Sequence, residues 1–160
     1  MEPPTQKWFL FQELYTIQTA NASTKMKHEI KITEIVPGCW LQHINGRYMQ
    51  VTKITTSDFA CGVPYAWSYN NIFLPIKLNS ELLMNLGFCH LEDNPNSDVI
   101  YSIGLQGVQL RKISDSEFEL TAVLHNEKSK IVKRVKYLHE LQVQFYVNHL
   151  NKTFDLTNIQ

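Results

Sequence analysis

A chain of 160 residues is long enough for one domain with a sizeable core. Hydrophobic residues make up 44% of it and charged residues 19%, which excludes wholesale disorder. A formal net charge of +0 excludes an overall basic nucleic-acid coat protein and an acidic mimic of DNA alike, while leaving room for a local patch.

The first 25 residues differ in pattern from the rest of the chain. Pro3-Pro4-Thr5 suits a helix start, with Trp8, Phe11, Leu14, Tyr15 and Ile17 on one apolar face. Thr19 to Lys25 is small and polar, as linkers are. Met26-Lys27-His28-Glu29-Ile30 reads as a natural beginning. Residues 1–25 are therefore expected to be an N-terminal appendage or extension, docked or loosely packed, and residues 26–160 a single α+β domain. Glu2 and Glu13 flank the apolar run at Trp8, and no basic segment precedes it, so a secretory signal is not expected. No apolar run approaches the roughly 20 residues that a membrane span needs.

From Ile30 the pattern predicts strands. Ile30, Ile32, Ile35 and Val36 lead to a turn at Pro37-Gly38, and Asn45-Gly46 predicts a hairpin joining 40–44 to 48–54, both turn positions accepting positive φ. Residues 59–76 read as several short strands broken by Gly62, Pro64 and Pro75, the makings of a small SH3-like barrel or rolled sheet. Asn79 or Ser80 caps a short helix that buries Leu82, Leu83 and Leu86 and stops at Gly87. Asp93-Asn94-Pro95-Asn96 is a surface loop. Strands over 99–105, 108–113 and 118–125, with a fourth over 131–135, form an antiparallel meander. A helix over about 135–149 closes the chain. Leu138, Leu141 and Phe145 make one stripe on it, and Val143, Tyr146, Val147 and Leu150 a second. A helix apolar on two sides lies between two layers or keeps a face for a partner.

Three stretches, in this order, are similar to a family. Ile30 to Leu41, ending Gly38-Cys39-Trp40-Leu41, resembles an opening strand pair "I-G-N-W/Y-V". Pro75-Ile76-Lys77-Leu78-Asn79-Ser80-Glu81-Leu82-Leu83-Met84-Asn85-Leu86-Gly87-Phe88 resembles "P-I-P-L-T-E-E-W-L-L-K-L-G-F". Val135-Lys136-Tyr137-Leu138-His139-Glu140-Leu141-Gln142 resembles the start of a terminal helix "I-K-Y-V-H-Q-L-Q-N-L-Y-F-A-L-T-G". The family is one of short proteins in Bacteroidota genomes, often in phage and prophage regions. Leu82 departs from its frequent Trp and Asn151 from its final Gly, and residues 1–25 fall outside it. The resemblance implies a phage or mobile-element accessory protein, cytoplasmic in its host, and carries over no activity and no catalytic residue.

Chemistry-bearing residues are sparse. Cys39, Cys61 and Cys89 are odd in number with no C-x-x-C spacing, so reduced, mostly buried thiols are expected rather than disulfides or zinc. Cys89 and His90, with Glu92 and Asp93 nearby, would face opposite sides of a strand and share no ion. Cys39 and His43 stand about 13 Å apart along an extended segment, too far for a nucleophile and its base. His139 lies among apolar helix neighbours, where a hydrogen-bonded histidine at a core edge is the simpler reading than a general base. No phosphate-binding glycine motif is present. No cofactor and no metal is expected.

Two groups are candidate binding sites. Lys130, Lys133, Arg134 and Lys136 form a basic run, with Lys128 before it and Arg111 and Lys112 on a neighbouring strand; they suit phosphate, or are the charges of a solvated edge strand. Tyr65, Trp67 and Tyr69 share one strand face and could stack on a base or a partner, or wall the barrel. The expectation is a non-enzymatic protein that binds a protein partner. A small nucleic-acid-binding module is the first alternative and an enzyme of unknown type the second. No membrane association is expected.

Overall fold

The computed structural model of the chain describes residues 30–62, 66–67, 72–91, 99–104, 107–123, 130–150 and 152–159. The helix expected before residue 18 and the loop expected at 93–96 lie outside the described residues.

The domain is α+β, with two five-stranded antiparallel sheets and helices between and beside them. It opens with a 3-10 turn at Ile32–Glu34, where the isoleucine spacing predicts a strand. Glu34 is the reason: its N–H donates to the Lys31 carbonyl at 2.9 Å while its carboxylate accepts from the Lys31 N–H at 3.4 Å. Period-two spacing over so few residues cannot outweigh a side chain that closes its own turn.

The turn at Pro37-Gly38, with Gly38 at φ +93°, feeds the expected hairpin of β1 (Trp40–His43) and β2 (Tyr48–Ile54), in register Trp40↔Gln50. Only Gly46 of the turn takes positive φ, at +90°. Its N–H donates to the His43 carbonyl at 2.8 Å, so the hairpin turns on one left-handed glycine, although Asn45 too could accept that conformation. Next come β3 (Phe59–Cys61), β4 (Ala66–Trp67) and β5 (Phe73–Leu74). The order is β4-β3-β2-β1-β5, so the chain leaves one edge and returns beside β1, as in a small SH3-like roll. A register shift between Val51 and Lys53 bends β2, where the Thr52 hydroxyl bonds the carbonyls of Ala60 and Gly62.

Helix α1 (Ser80–Asn85) forms as expected. The Asn79 side chain accepts from the Leu82 N–H at 2.7 Å, a cap worth about 1 kcal/mol. Gly87 follows at φ +89°. The second sheet is an uninterrupted meander, β6 (Cys89–Leu91), β7 (Ile100–Ser102), β8 (Val108–Ser114), β9 (Glu117–Val123) and β10 (Lys130–Val135). Helix α2 (Leu138–Val147) starts three residues later than the apolar pattern suggests. Residues 136–138 are held extended against 76–78, with N–H bonds from Leu78 to Lys136 and from Leu138 to Ile76, each 2.9 Å.

Two apolar cores result. The larger joins the inner face of the second sheet to α1, to Leu138, Leu141 and Phe145 of α2, and to the tail residues Phe154 and Leu156. The smaller fills the first sheet with Ile35, Cys39, Leu41, Val51, Phe59, Cys61 and Phe73, and Val143 of α2 packs against it. Helix α2 thus reaches both cores, but of its second stripe only Val143 meets the smaller one; Leu150 packs on the larger, and Tyr146 and Val147 are exposed. Among the described residues, no helix is long and apolar enough to cross a membrane.

Candidate functional site

Strand alternation divides the basic run. Lys133 shares its face of β10 with the buried Val135, opposite Leu120, whereas Lys130 and Arg134 point to the other side. On that outer face the cations meet acids. Arg134 stands opposite Glu119 in the ladder, and Glu119 accepts from Arg111 at 2.7 Å. Lys136 lies 4.0 Å from Glu117. Lys112, on the other face of β8 with Leu110, bonds Asp115 of the following turn at 2.8 Å. What reads along the chain as one patch is, in space, two faces with interleaved acids. A phosphate backbone approaching the outer face would meet Glu117 and Glu119 among the cations. Of the aromatic trio, Tyr65 and Tyr69 lie outside the described residues, and of Trp67 only the strand position is described, opposite Ala60.

The other chemistry-bearing residues are not brought together. His43 accepts from the Asn45 N–H at 3.2 Å and turns its ring edge to Phe73 at 5.5 Å, while Cys39 is sealed in the smaller core. His139 lies fully inside the protein rather than at a core edge, its ring stacked on Tyr137 at 5.7 Å. Cys89 and His90 point to opposite faces of β6, the His90 ring meeting Tyr101 at 5.7 Å. Among the described residues, no group of three or more His, Cys, Asp or Glu could hold a metal ion.

Burial decides the thiol chemistry. It pushes the Cys39 thiol up to about 11 and the Cys61 thiol up to about 12, and Cys89 alone is exposed. Brief treatment of the native protein with iodoacetamide is expected to add one label, at Cys89, and treatment after unfolding three; peptide mass spectrometry reads both. Prompt native labelling of Cys39 would mean that the smaller core opens. Because the folded pKa values lie above the ordinary 9.0, the stability these neutral thiols lend is complete below pH 9 and falls as pH rises from there.

The feature that sequence reading missed is a cleft of about 680 Å³ at the C-terminal end of α2. Phe145 and Phe154 line it, their rings crossing edge to face at 5.0 Å. One wall is 36–39 and the other is Tyr146, Val147 and Leu150, with Gln50 and Lys152 also lining it. The helix ends there in a Schellman arrangement: Leu150 N–H bonds the Phe145 carbonyl at 2.9 Å and His149 N–H the Tyr146 carbonyl at 3.2 Å. His149 sits at φ +53°, a left-handed position that glycine would occupy without the steric cost of a Cβ.

The amides lining this cleft are already engaged. Gln142 accepts from the Trp40 N–H at 2.9 Å and donates to the Gly38 carbonyl at 3.3 Å, and Gln50 donates to the same carbonyl at 3.1 Å. Most of what remains open to a ligand is apolar, with His149, Lys152 and Thr153 as polar lining residues. Tyr146 and Val147 are 61% and 52% exposed at its edge, and the exposed Lys152 also lines it. A polar side chain between two apolar stripes was the one sequence signal that could have marked Gln142 as a structural tie. Comparison with protein-family models, curated proteins and solved structures finds no match for this chain.

Proposed function

We propose that this is a non-enzymatic interaction protein whose cleft at the end of α2 takes an amphipathic segment of a protein partner, apolar on one side and acidic beside it. The observation that carries this reading is the pairing of exposed Tyr146 and Val147 with an apolar cleft whose amides are already hydrogen-bonded. Such a surface rewards burial of apolar side chains, and aromatic residues are favoured anchors in interfaces. Lys152 supplies the attraction for an acidic flank. The resemblance of 30–41, 75–88 and 135–142 supports a phage or mobile-element accessory protein of a Bacteroidota host, working in the host cytoplasm.

The test is capture from the host of origin with the tagged protein, with and without nuclease, beside the variant Tyr146→Asp/Val147→Asp. A nuclease-resistant partner that survives high salt and falls at least tenfold in the variant is expected. Partners that vanish with nuclease, together with weaker heparin retention of Lys133→Glu/Arg134→Glu, would move the function to the basic strand instead. Equal capture by wild type and cleft variant would remove the cleft from the function.

A further inference from the structure

Strand β10 ends the second sheet, and among the described residues no strand pairs with its side away from β9. In an antiparallel ladder alternate residues turn their N–H and C=O groups away from the partner strand, so β10 offers a row of backbone donors and acceptors outward. The charges along that edge have one sign. Lys130, Lys133 and Arg134 are exposed, and among the described residues no carboxylate lies within ion-pair distance of them. Between them Val132 is 53% exposed, on the same outer face as Val123.

Charge selects the occupant of such an edge. A second copy is disfavoured: antiparallel pairing of β10 with itself about Val132 sets Lys130 opposite Arg134, and pairing about Lys133 sets two ammonium groups opposite each other. A phosphate chain over the outer face meets Glu117 and Glu119, and can accept from backbone N–H groups but offers nothing to the C=O groups. A peptide strand laid beside β10 uses both. It lies about 10 Å from β9, two strand spacings away, and so meets the cations before the acids.

We propose that the free edge of β10 is a second docking surface, taken by an extended acidic segment of a protein partner that adds a sixth strand to the sheet. Main-chain hydrogen bonds hold the segment, acidic side chains stand opposite Lys130, Lys133 and Arg134, and an apolar one stands opposite Val132. None of residues 130–135 lines the cleft at the end of α2, so the two surfaces are separate.

The probe is a synthetic peptide with the core Glu-Glu-Val-Val-Glu, which in antiparallel register places its acids opposite Arg134, Lys133 and Lys130. Titrated into the isotope-labelled full chain, it is expected to shift the backbone amide resonances of 130–135. The dissociation constant should weaken at least about tenfold in Lys130→Glu/Lys133→Glu, positions opposite Val123 and Leu120 where no acid faces them. Of two peptides N-methylated at alternate residues, only the one blocked on the edge toward β10 should lose binding. Equal binding by both would mean charge attraction without strand pairing, and would overturn the proposal. So would shifts at 130–135 that grow with protein concentration alone, which assign the edge to a second copy. Tighter binding of a single-stranded oligonucleotide, lost in the same variant, would give the strand to nucleic acid instead. No shift at 130–135 with millimolar peptide would overturn it outright. Failure of the cleft reading shows elsewhere, as unchanged capture by Tyr146→Asp/Val147→Asp.

Discussion

Phe145→Ala is expected to lower the free energy of unfolding by about 3–5 kcal/mol, the usual cost of emptying an aromatic site in a core. Phe145 is 2% exposed and meets Phe154 edge to face at 5.0 Å. Phe154 in turn stacks on Phe88 at 6.0 Å, and its carbonyl accepts from the Trp40 indole at 2.8 Å. One ring thus ties the last turn of α2 to the tail and, through the tail, to both sheets. Urea unfolding followed by circular dichroism measures the loss, and Phe145→Leu should restore much of it by refilling volume. A loss below about 1 kcal/mol for Phe145→Ala would mean that the tail is not packed on the helix as described.

Gln142→Ala is expected to cost about 2–4 kcal/mol, although it removes a polar side chain from the interior. The Trp40 N–H is buried and its partner is the Gln142 amide oxygen. Truncation strands that donor, and the cost of an unsatisfied buried group adds to the hydrogen bonds lost. Gln142→Glu separates the two bonds. A carboxylate still accepts from Trp40 but sets a second acceptor against the Gly38 carbonyl, the group to which the native amide donates. Protonation repairs this, so the folded-state pKa of the introduced acid is raised above its unfolded value of about 4.3. Its stability should therefore come closest to wild type below that pH and fall as pH rises through the folded value. A Gln142→Glu protein no weaker at pH 7 than at pH 4, relative to wild type, would contradict the bonding described.

Local signals were legible where the physics is local. The Asn79 cap, the Gly87 stop, the hairpin near Gly46 and the alternation of β9 need only a few neighbouring residues, and each stands in the fold as its residues suggest. The opening isoleucines misled because Glu34, a competing local group, turned the backbone into a 3-10 helix. The basic run is arranged in space in a way its order along the chain does not state. Even and odd positions of β10 face opposite ways, so Lys133 leaves the company of Lys130 and Arg134, a division that strand periodicity could have revealed. The acids that interleave with those cations came from β9, whose register with β10 spacing along the chain does not state.

What the sequence by itself determined is the class of the protein: α+β, strands before and after a capped short helix, and a final helix with two apolar stripes. Only the tertiary structure decided that the first stripe enters the larger core while Val143 of the second meets the smaller, that Gln142 bonds Gly38 and Trp40 across about a hundred residues of chain, and that a cleft opens at Tyr146 and Val147. Caps, turns and periodicity act between near neighbours and are written in order along the chain. A cleft is the space left between distant segments, and its shape exists only once their packing has been chosen.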